Sequence, residues 1–425
     1  MAEAGAAEAR EAPVGGDDGR VGVYLHLPWC ERVCPYCDFA VLAARPLEPE
    51  VEARYVERLR VELSARAPDF AGRPLASVYF GGGTPALFAP DSIARLIEAV
   101  QAAFPGDVPG AAPPEITLEL NPSTVERARL PGFRAAGVNR LSIGVQSFDD
   151  RILKRLGRAH RAAVAWETLE AARAAGFDDL SVDLIFAVPG QTEADLDRDL
   201  VRVIDFAPEH VSTYELTFEP ETPFGRAVAD GRLAPPDEEL AARMIEQVEG
   251  RLEGAGYARY EISSYARPGR RARHNARYWQ RQAVLGLGMG AHSTEARSAT
   301  LPHGARRANP RTLAAWEAAI ERDPAGAGEE ERLGAATARG EAVFLGLRQV
   351  EGLSASAFAA EFGATPRAFY AAEIDRLVAS GWLLEASPGD LRLSPAGRLV
   401  ADDVAAAFVV GEGDEPASAE APPRV

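Results

Sequence analysis

Six short runs of apolar residues recur along the first part of the chain, and each is followed by a stretch with helical spacing of its apolar positions. β-Branched and aromatic residues dominate the runs, which is typical of buried strands. Strict alternation of strand and helix predicts a parallel sheet with helical crossovers. The predicted strands are VGVYLHL (21–27), SVYFGGGTP (77–85), ITLELNP (116–122), RLSIGVQS (140–147), LSVDLIFAVPG (180–190) and HVSTYELT (210–217).

The predicted fold class is therefore α/β, with a partial (β/α)6 barrel over residues 21–255. A doubly wound open sheet is the alternative that the pattern leaves open. Residues 256–336 are expected to hold a glycine- and aromatic-rich segment and then a helical connector. Residues 337–410 show the order helix, helix, helix, hairpin, helix, and predict a C-terminal α+β extension that ends in a winged-helix-like domain. The chain ends, 1–20 and 411–425, are acidic and rich in Ala, Gly and Pro, which predicts disordered tails.

The net charge and the hydropathy of the chain limit the kinds of partner and the location that we expect for the protein. The chain of 425 residues carries a formal net charge of −17, which argues against nucleic-acid binding, since that requires a basic surface. No stretch approaches the roughly 18 apolar residues of a membrane-spanning helix. The N-terminus lacks the basic-then-apolar layout of a secretory signal. A cytoplasmic protein is the expectation.

The chain has three cysteines, and all of them lie within eight residues, as Cys30, Cys34 and Cys37. An odd number so closely spaced does not suit disulfide pairing. A C-x3-C-x2-C loop after a first strand can instead place three thiolates on three irons of a cubane iron–sulfur cluster. The fourth iron then has no protein ligand, and a bidentate amino-carboxylate such as the methionine end of S-adenosylmethionine can occupy it.

Structural zinc is the alternative for this loop. Zinc usually takes four protein ligands, often as two C-x2-C pairs. His26 is a nearby candidate for the fourth ligand, but it lies within the predicted first strand, before the loop that would have to wrap the metal. The pattern favours the cluster.

Further motifs follow the cysteines along the chain: GGGTP, ELNP, GVQSFD, DLIFAVPGQT and HNARYW. Together with YLHLPWCERVCPYCDF, they occur in the order that is typical of the radical S-adenosylmethionine superfamily, and within it of the coproporphyrinogen dehydrogenase-like group. The chain resembles this group from about Val21 to Val410. The resemblance implies a [4Fe–4S] cluster on the three cysteines and S-adenosylmethionine as cofactor.

Polar residues and glycines near the strand ends are candidates for cofactor contacts. Glu119 is a charged residue in an apolar run, and such residues are rarely buried without a partner; a solvated strand edge is the alternative. The GGG sequence lets backbone amides approach a ligand closely; a tight turn is the alternative. The resemblance implies that the following residues contact S-adenosylmethionine: Tyr24, Gly82, Gly83, Thr84, Glu119, Gln146, Arg158 and Asp183.

Two branches of the group differ after the third cysteine. Coproporphyrinogen dehydrogenases extend the motif to C-x3-C-x2-C-x-C and usually carry a longer N-terminal extension. Here Phe39 takes the place of the extra cysteine. CPYCDF and the HNxxYW motif at 274–279 instead resemble the HemW family of haem chaperones.

The HNxxYW motif supplies the candidate haem ligand. His274 is a sensible axial ligand for haem iron, and Tyr278 and Trp279 could pack on a porphyrin face. A structural histidine satisfied by hydrogen bonds is the alternative. His292 and His160 are weaker candidates.

The resemblance implies a chaperone that carries haem as cargo to client haemoproteins, membrane respiratory enzymes among them, which would bring it to the membrane periphery. A homodimer also fits the family. One hypothesis is that reductive cleavage of S-adenosylmethionine to a 5′-deoxyadenosyl radical regulates haem handover. The alternatives are an oxygen-independent coproporphyrinogen III dehydrogenase, and a binding module in which the cluster serves only oligomerisation.

Overall fold

The computed structural model describes residues 17–409, except 45, 107 and 388. Within this part the chain divides into two compact units. The larger unit comprises residues 19–278 and 282–334, and the smaller one comprises residues 17–18, 279–281 and 335–409. The disorder predicted for the two tails falls on residues that lie, apart from 17–20, outside the described part. The domain limits drawn from the sequence stay predictions.

Sixteen strands are present among the described residues. They are β1 (Val21–Leu27), β2 (Trp29–Cys30), β3 (Leu42–Ala43), β4 (Leu75–Gly82), β5 (Glu115–Leu120), β6 (Arg140–Gln146), β7 (Leu180–Phe186), β8 (His210–Glu215), β9 (Ala258–Arg259), β10 (Ser264–Ala266), β11 (Val284–Leu287), β12 (His292–Glu295), β13 (Ala305–Ala308), β14 (Glu329–Arg332), β15 (Leu383–Ser387) and β16 (Asp390–Leu393).

Fifteen α-helices accompany the strands in the same part of the chain. They are α1 (Pro49–Arg66), α2 (Pro90–Ala103), α3 (Thr124–Ala135), α4 (Asp150–Arg155), α5 (Ala162–Ala174), α6 (Glu193–Phe206), α7 (Pro223–Ala229), α8 (Glu238–Gly254), α9 (Arg273–Trp279), α10 (Leu313–Arg322), α11 (Ala335–Leu347), α12 (Ala355–Phe362), α13 (Pro366–Ala379), α14 (Pro395–Arg398) and α15 (Ala401–Ala406), with short 3-10 turns at Ala67–Phe70 and Pro85–Leu87.

Twelve strands of the larger unit form one sheet in the order β14-β13-β12-β11-β1-β4-β5-β6-β7-β8-β10-β9, and β2 pairs separately with β3. Strands β1, β4, β5, β6, β7 and β8 pair in parallel, in the order in which they occur in the sequence. A doubly wound sheet reverses its strand order at a switch point, and these six strands show no reversal. The predicted partial (β/α)6 barrel is confirmed, and the doubly wound alternative is wrong.

Along the parallel strands, residues that face the hydrophobic core alternate with residues that face the inside of the barrel. In β1, Val21, Val23, Leu25 and Leu27 are fully buried and belong to the core cluster that includes Tyr55 and Leu59 of α1. The residues between them face the other side of the sheet, as the two-residue period of a strand requires. On that inner side the strands carry polar residues, which line the space described below.

Local capping signals explain where several crossover helices begin. The hydroxyl of Ser123 accepts a hydrogen bond from the backbone amide of Glu126 at 3.1 Å. Thr192 and Asp195 form a reciprocal capping box at the start of α6. Such caps satisfy backbone donors that the first helical turn leaves open. Thr192 is therefore the N-cap of α6.

The segment 306–336 was expected to be a helical connector, and this expectation is wrong for most of its length. Helix α10 lies between β13 and β14, which extend the sheet antiparallel to one another. The two strands, ARRA and EEER, consist of alanine, arginine and glutamate, residues that favour helices. Cross-strand ion pairs offset that preference: Arg306 pairs with Glu331 at 3.4 Å, and Arg307 with Glu330 at 2.5 Å.

The smaller unit follows the element order predicted for it. Three helices, α11 to α13, precede the β15–β16 hairpin, and two short helices end the described chain. The buried Arg281 guanidinium pairs with Glu341 at 2.9 Å and with Glu361 at 2.6 Å within this unit. No helix in the described part is long and apolar enough to cross a lipid bilayer.

Candidate functional site

A cavity of about 520 Å³ lies inside the barrel and opens at the carboxyl ends of its strands. Its wall includes inward-facing residues from successive strands, which alternate with core residues in the sequence. Sites of parallel α/β sheets form at this end because the loops that follow the strands meet there. The inward residues are Tyr79 on β4, Glu119 on β5, Ser142 and Gly144 on β6, Asp183 on β7, and Ser212 and Tyr214 on β8.

All three cysteines line this cavity. Cys30 ends β2, and the backbone amide of Cys37 donates to the carbonyl of Cys34 at 3.1 Å, which closes the loop. The thiols are partly buried and form no disulfide. Burial raises the pKa of Cys30 to about 11 and also raises the pKa of Cys37. Cysteines bind metal as thiolates, so binding of a metal at this loop would release protons.

Among the described residues, no group of three or more His, Cys, Asp or Glu side chains is placed so that it could hold one metal ion. In a cubane cluster, by contrast, each thiolate binds a different iron. Arg158 contacts the cysteine loop, since its Nη1 donates to Cys34 Sγ at 3.6 Å. The choice of a cluster over structural zinc stays a prediction from the cysteine spacing.

The glycines after β4 allow a close approach of three segments. Gly82 has φ of +106°, and a Cβ there would lie 2.4 Å from the His26 ring. A Cβ on Gly83 would lie 2.6 Å from the carbonyl carbon of Pro28. No other residue type fits either position without displacing its neighbours. Both glycines line the cavity.

Glu119 is the inward carboxylate next to the glycine loop. It accepts hydrogen bonds from Tyr79 Oη at 2.7 Å and from the Gly82 amide at 3.2 Å. Burial raises its pKa to about 7, against the lowering effect of the Tyr79 hydrogen bond. A carboxylate in this state suits contact with a ligand that carries hydroxyl or cationic groups.

Asn121 links two of the predicted cofactor residues. Its amide donates to Thr84 Oγ1 at 2.6 Å, and its carbonyl oxygen accepts a hydrogen bond from Arg158. Arg158 Nη2 also donates to the Gly144 carbonyl at 3.0 Å. Arg158 and Asn121 line the main cavity, whereas Thr84 lines a smaller neighbouring one. Thr84 therefore acts on the main cavity through Asn121.

Gln146 and Asp183 face the cavity from β6 and β7. Gln146 adopts φ of 65°, and its buried Oε1 has no hydrogen-bond partner among the described residues. Asp183 accepts hydrogen bonds from Ser142 at 2.8 Å and Ser181 at 3.0 Å, and burial raises its pKa. A strained residue with an unsatisfied buried acceptor is a polar group that a ligand could satisfy. The wall thus fits a polar cofactor.

The turn after Gln146 is anchored from outside the barrel. Asp199 on α6 accepts hydrogen bonds from Ser147 Oγ and from the Phe148 amide, both at 2.7 Å. Burial raises the pKa of Asp199 to about 6. This carboxyl group holds the GVQSFD turn in the shape that places Gln146 at the cavity wall.

Tyr24 is the predicted cofactor residue that the structure places outside the cavity wall. Its ring stacks on that of Tyr79 at 6.1 Å, and its hydroxyl is 3.0 Å from His26 Nδ1. His26 Nε2 in turn is 2.8 Å from the Ala40 carbonyl. His26 therefore joins the first strand to the end of the cysteine loop, and its two hydrogen bonds leave no nitrogen for zinc.

The structure places the predicted haem ligand His274 in the core. The side chain is 1% exposed, and its ring nitrogens lie 2.9 Å from Ser77 Oγ and 3.3 Å from Tyr278 Oη. Burial lowers its pKa to about 3. Haem ligation by His274 stays a prediction, and iron binding there would require the ring to give up one of these two hydrogen bonds. His160, another candidate, is likewise bonded to the Val145 carbonyl at 3.0 Å.

Sequence reasoning missed several residues of the wall. Asn275, next to His274, lines the cavity, as do Asn121, Arg140, Ser142, Ser212 and Tyr214. The signal was available: positions two residues apart on a strand share one face, so Glu119 and Asp183 mark the inward side of their strands. Asn275 carried no such signal, because it lies on a short helix outside the barrel strands.

The sequence profile of the Radical SAM superfamily matches residues 24–203, and that of the HemN C-terminal domain matches residues 335–400. The haem chaperone HemW of Bacillus subtilis is 31% identical over 388 residues, which cover 91% of this chain and 98% of that protein. HemW of Mycobacterium tuberculosis is 35% identical over 385 residues, or 90% and 93% of the two chains.

Among solved structures, coproporphyrinogen III oxidase (HemN) from Escherichia coli, a radical SAM enzyme, superimposes with a TM-score of 0.76. The match covers 92% of this chain and 90% of that chain at 23% sequence identity. At this identity the likeness shows a shared fold alone. The predicted radical SAM fold is confirmed.

Proposed function

Since this chain belongs to the HemW family of haem chaperones, within the radical SAM superfamily, we propose that it binds haem and delivers it to client haemoproteins. The observation that carries the proposal is similarity along nearly the whole length of proteins with that name, 98% and 93% of the two relatives compared. Phe39, at the position of the extra cysteine of coproporphyrinogen dehydrogenases, supports the same choice.

Membership of the superfamily implies a [4Fe–4S] cluster and S-adenosylmethionine. We assign the cluster to Cys30, Cys34 and Cys37, which are free, partly buried and placed around one cavity. When bound, the cluster supplies an electron and an open iron site to the cofactor. The cavity volume of about 520 Å³ lies within the usual range of roughly 300–1,000 Å³ for one small ligand.

The chain's own residues have distinct tasks in this proposal. Glu119, Gln146 and Asp183 orient the cofactor through hydrogen bonds from the strand ends. Arg158 stabilises the thiolate of Cys34 and is held by Asn121. Gly82 and Gly83 leave room beside the loop, while Thr84 and Tyr24 support the wall from behind it.

The clients are proposed as haemoproteins, including respiratory enzymes of the membrane. Three free thiols suit the reducing cytoplasm, where we place the protein, with transient contact to the membrane through its clients. A homodimer and cleavage of S-adenosylmethionine are parts of the proposal that need their own measurements. Release of 5′-deoxyadenosine from the reduced protein would demonstrate the cleavage.

The test is a haem-transfer assay on the anaerobically reconstituted protein. Haem is titrated in while the Soret band is followed, and apomyoglobin is then added as acceptor. In parallel, coproporphyrinogen III, S-adenosylmethionine and a reductant are supplied, and decarboxylated products are sought by chromatography. We expect stoichiometric haem binding, transfer to apomyoglobin and no decarboxylation. Decarboxylation without haem transfer would show that the protein is a coproporphyrinogen dehydrogenase and not a haem chaperone.

The Cys34→Ser variant separates a third possibility. If haem transfer and any dimerisation survive in this variant after loss of the cluster, the protein acts as a cluster-independent binding module. We expect transfer to depend on the cluster.

A further inference from the structure

Three large apolar side chains at the cavity mouth are exposed to solvent. Phe39 is 70% exposed, the highest value among the large apolar side chains that the structure describes, and Val33 and Tyr214 are 42% and 44% exposed. Val33 and Phe39 lie on the cysteine loop, and Tyr214 lies on β8, yet all three line the same cavity. We call these three residues the apolar rim. Clustered exposed apolar groups typically mark a binding surface.

The cavity below the rim has room for one ligand. Its volume of about 520 Å³ suits a single cofactor-sized molecule. The polar residues of its wall, Glu119, Gln146 and Asp183 among them, match S-adenosylmethionine rather than an apolar macrocycle. The cargo of the proposed function therefore needs a second place to bind.

Charged side chains of both signs line the cavity near its mouth. Arg32 on the cysteine loop is exposed and has no ion-pair partner among the described residues. The carboxylates are Asp38 on the same loop, which pairs with Arg311 at 4.0 Å, Glu215 at the end of β8, and Glu219. A ligand with carboxylates would be attracted to Arg32 and repelled by the two glutamates.

We propose that the apolar rim is the haem-docking surface, with the macrocycle packed on Phe39, Val33 and Tyr214 and a propionate paired with Arg32. This inference rests on the proposed function, because it takes haem to be the cargo. Haem matches the rim in chemistry: it is a flat apolar ring with two carboxylates at one edge. Aromatic side chains pack well on such a ring.

The test compares rim variants with a matched surface control in haem titrations of the cluster-loaded protein. Phe39→Ser and Tyr214→Ala remove rim contacts from two different elements, so one variant remains informative if the other disturbs the loop. Val33→Ser is matched by Val61→Ser on α1, where the side chain is 41% exposed and far from the cavity wall. Iron content verifies the cluster in every sample. The titrations are repeated with saturating S-adenosylmethionine.

We expect haem affinity to fall about tenfold in Phe39→Ser, a few-fold in Val33→Ser and Tyr214→Ala, and not at all in Val61→Ser. Arg32→Glu should also weaken binding several-fold. S-adenosylmethionine should leave haem affinity unchanged. Unaltered affinity in the rim variants, or competition between haem and S-adenosylmethionine, would overturn the rim site. Failure of the wild-type protein to bind haem would instead overturn the proposed function.

Discussion

Replacement of Gly82 by alanine tests whether the glycine loop and the first strand are packed as tightly as the structure indicates. An alanine at φ of +106° carries backbone strain of about 1–2 kcal/mol. Its Cβ would also lie 2.4 Å from the His26 ring. That ring cannot swing away freely, because contacts to Tyr24 at 3.0 Å and Ala40 at 2.8 Å hold it. Overpacking adds about 1–3 kcal/mol.

Gly72 provides the matched control. It also has positive φ, +80°, but a Cβ there meets nothing within 4 Å. Gly72→Ala should therefore lower the free energy of unfolding by about 1–2 kcal/mol from backbone strain alone, and Gly82→Ala by about 2–5 kcal/mol in total.

The assay is urea unfolding of the cluster-free protein, followed by far-UV circular dichroism. The two variants should differ in the free energy of unfolding by about 1–3 kcal/mol, the overpacking contribution, with similar dependence on urea concentration. An equal loss in both variants would refute the reasoning, because it would mean that the His26 ring yields without cost. Cofactor affinity after reconstitution provides a second readout, and we expect it to fall only in Gly82→Ala.

Three further predictions concern buried charges. Burial raises the pKa of Asp199 from 3.8 to about 6, so between these pH values the folded state binds more protons than the unfolded state. The free energy of unfolding of the wild-type protein should therefore fall by about 3 kcal/mol as the pH rises through this range. Asp199→Asn should lack this loss, and identical pH profiles in urea unfolding would contradict the assignment. Because the pKa of Glu119 is about 7, the affinity for S-adenosylmethionine, measured by calorimetry, should weaken as the pH falls from about 8 to about 6. A Glu119→Gln variant should show no such pH dependence. A wild-type affinity that is independent of pH would contradict this role of Glu119. Arg281→Ala removes the ion pairs to Glu341 and Glu361 and should lower the stability of the smaller unit by about 3 kcal/mol, with partial recovery when both glutamates become glutamine. An unchanged midpoint of thermal unfolding would contradict this expectation.

The parallel α/β arrangement was predictable because each strand is a continuous apolar run followed by a helix, and that alternation admits few topologies. The choice between a barrel and a doubly wound sheet could not be predicted, since strand order depends on contacts between residues far apart in sequence and is not visible in local sequence patterns. Strands β13 and β14 escaped prediction for another reason. Their residues, ARRA and EEER, favour helices locally, and only pairing between two charged strands makes them extended.

For the site as well, some features could be predicted from the sequence and others could not. The cysteine spacing and the polar residues on apolar strands were sufficient to predict the cluster loop and much of the cavity wall. The burial of His274 could not be predicted, because a histidine next to two aromatic residues looks the same in sequence whether its ring faces a ligand or Ser77. The apolar rim was hidden as well, because exposure of Phe39 and Tyr214 depends on where the loop and β8 meet.

The central claim is that three cysteines hold a cluster with one iron open to S-adenosylmethionine. The direct measurement is electron paramagnetic resonance of the anaerobically reconstituted, dithionite-reduced protein, with metal analysis of the same sample. We predict about four irons and four sulfides per chain and a spectrum that changes when S-adenosylmethionine is added. Zinc in place of iron, or a cluster spectrum that the cofactor leaves unchanged, would contradict the account.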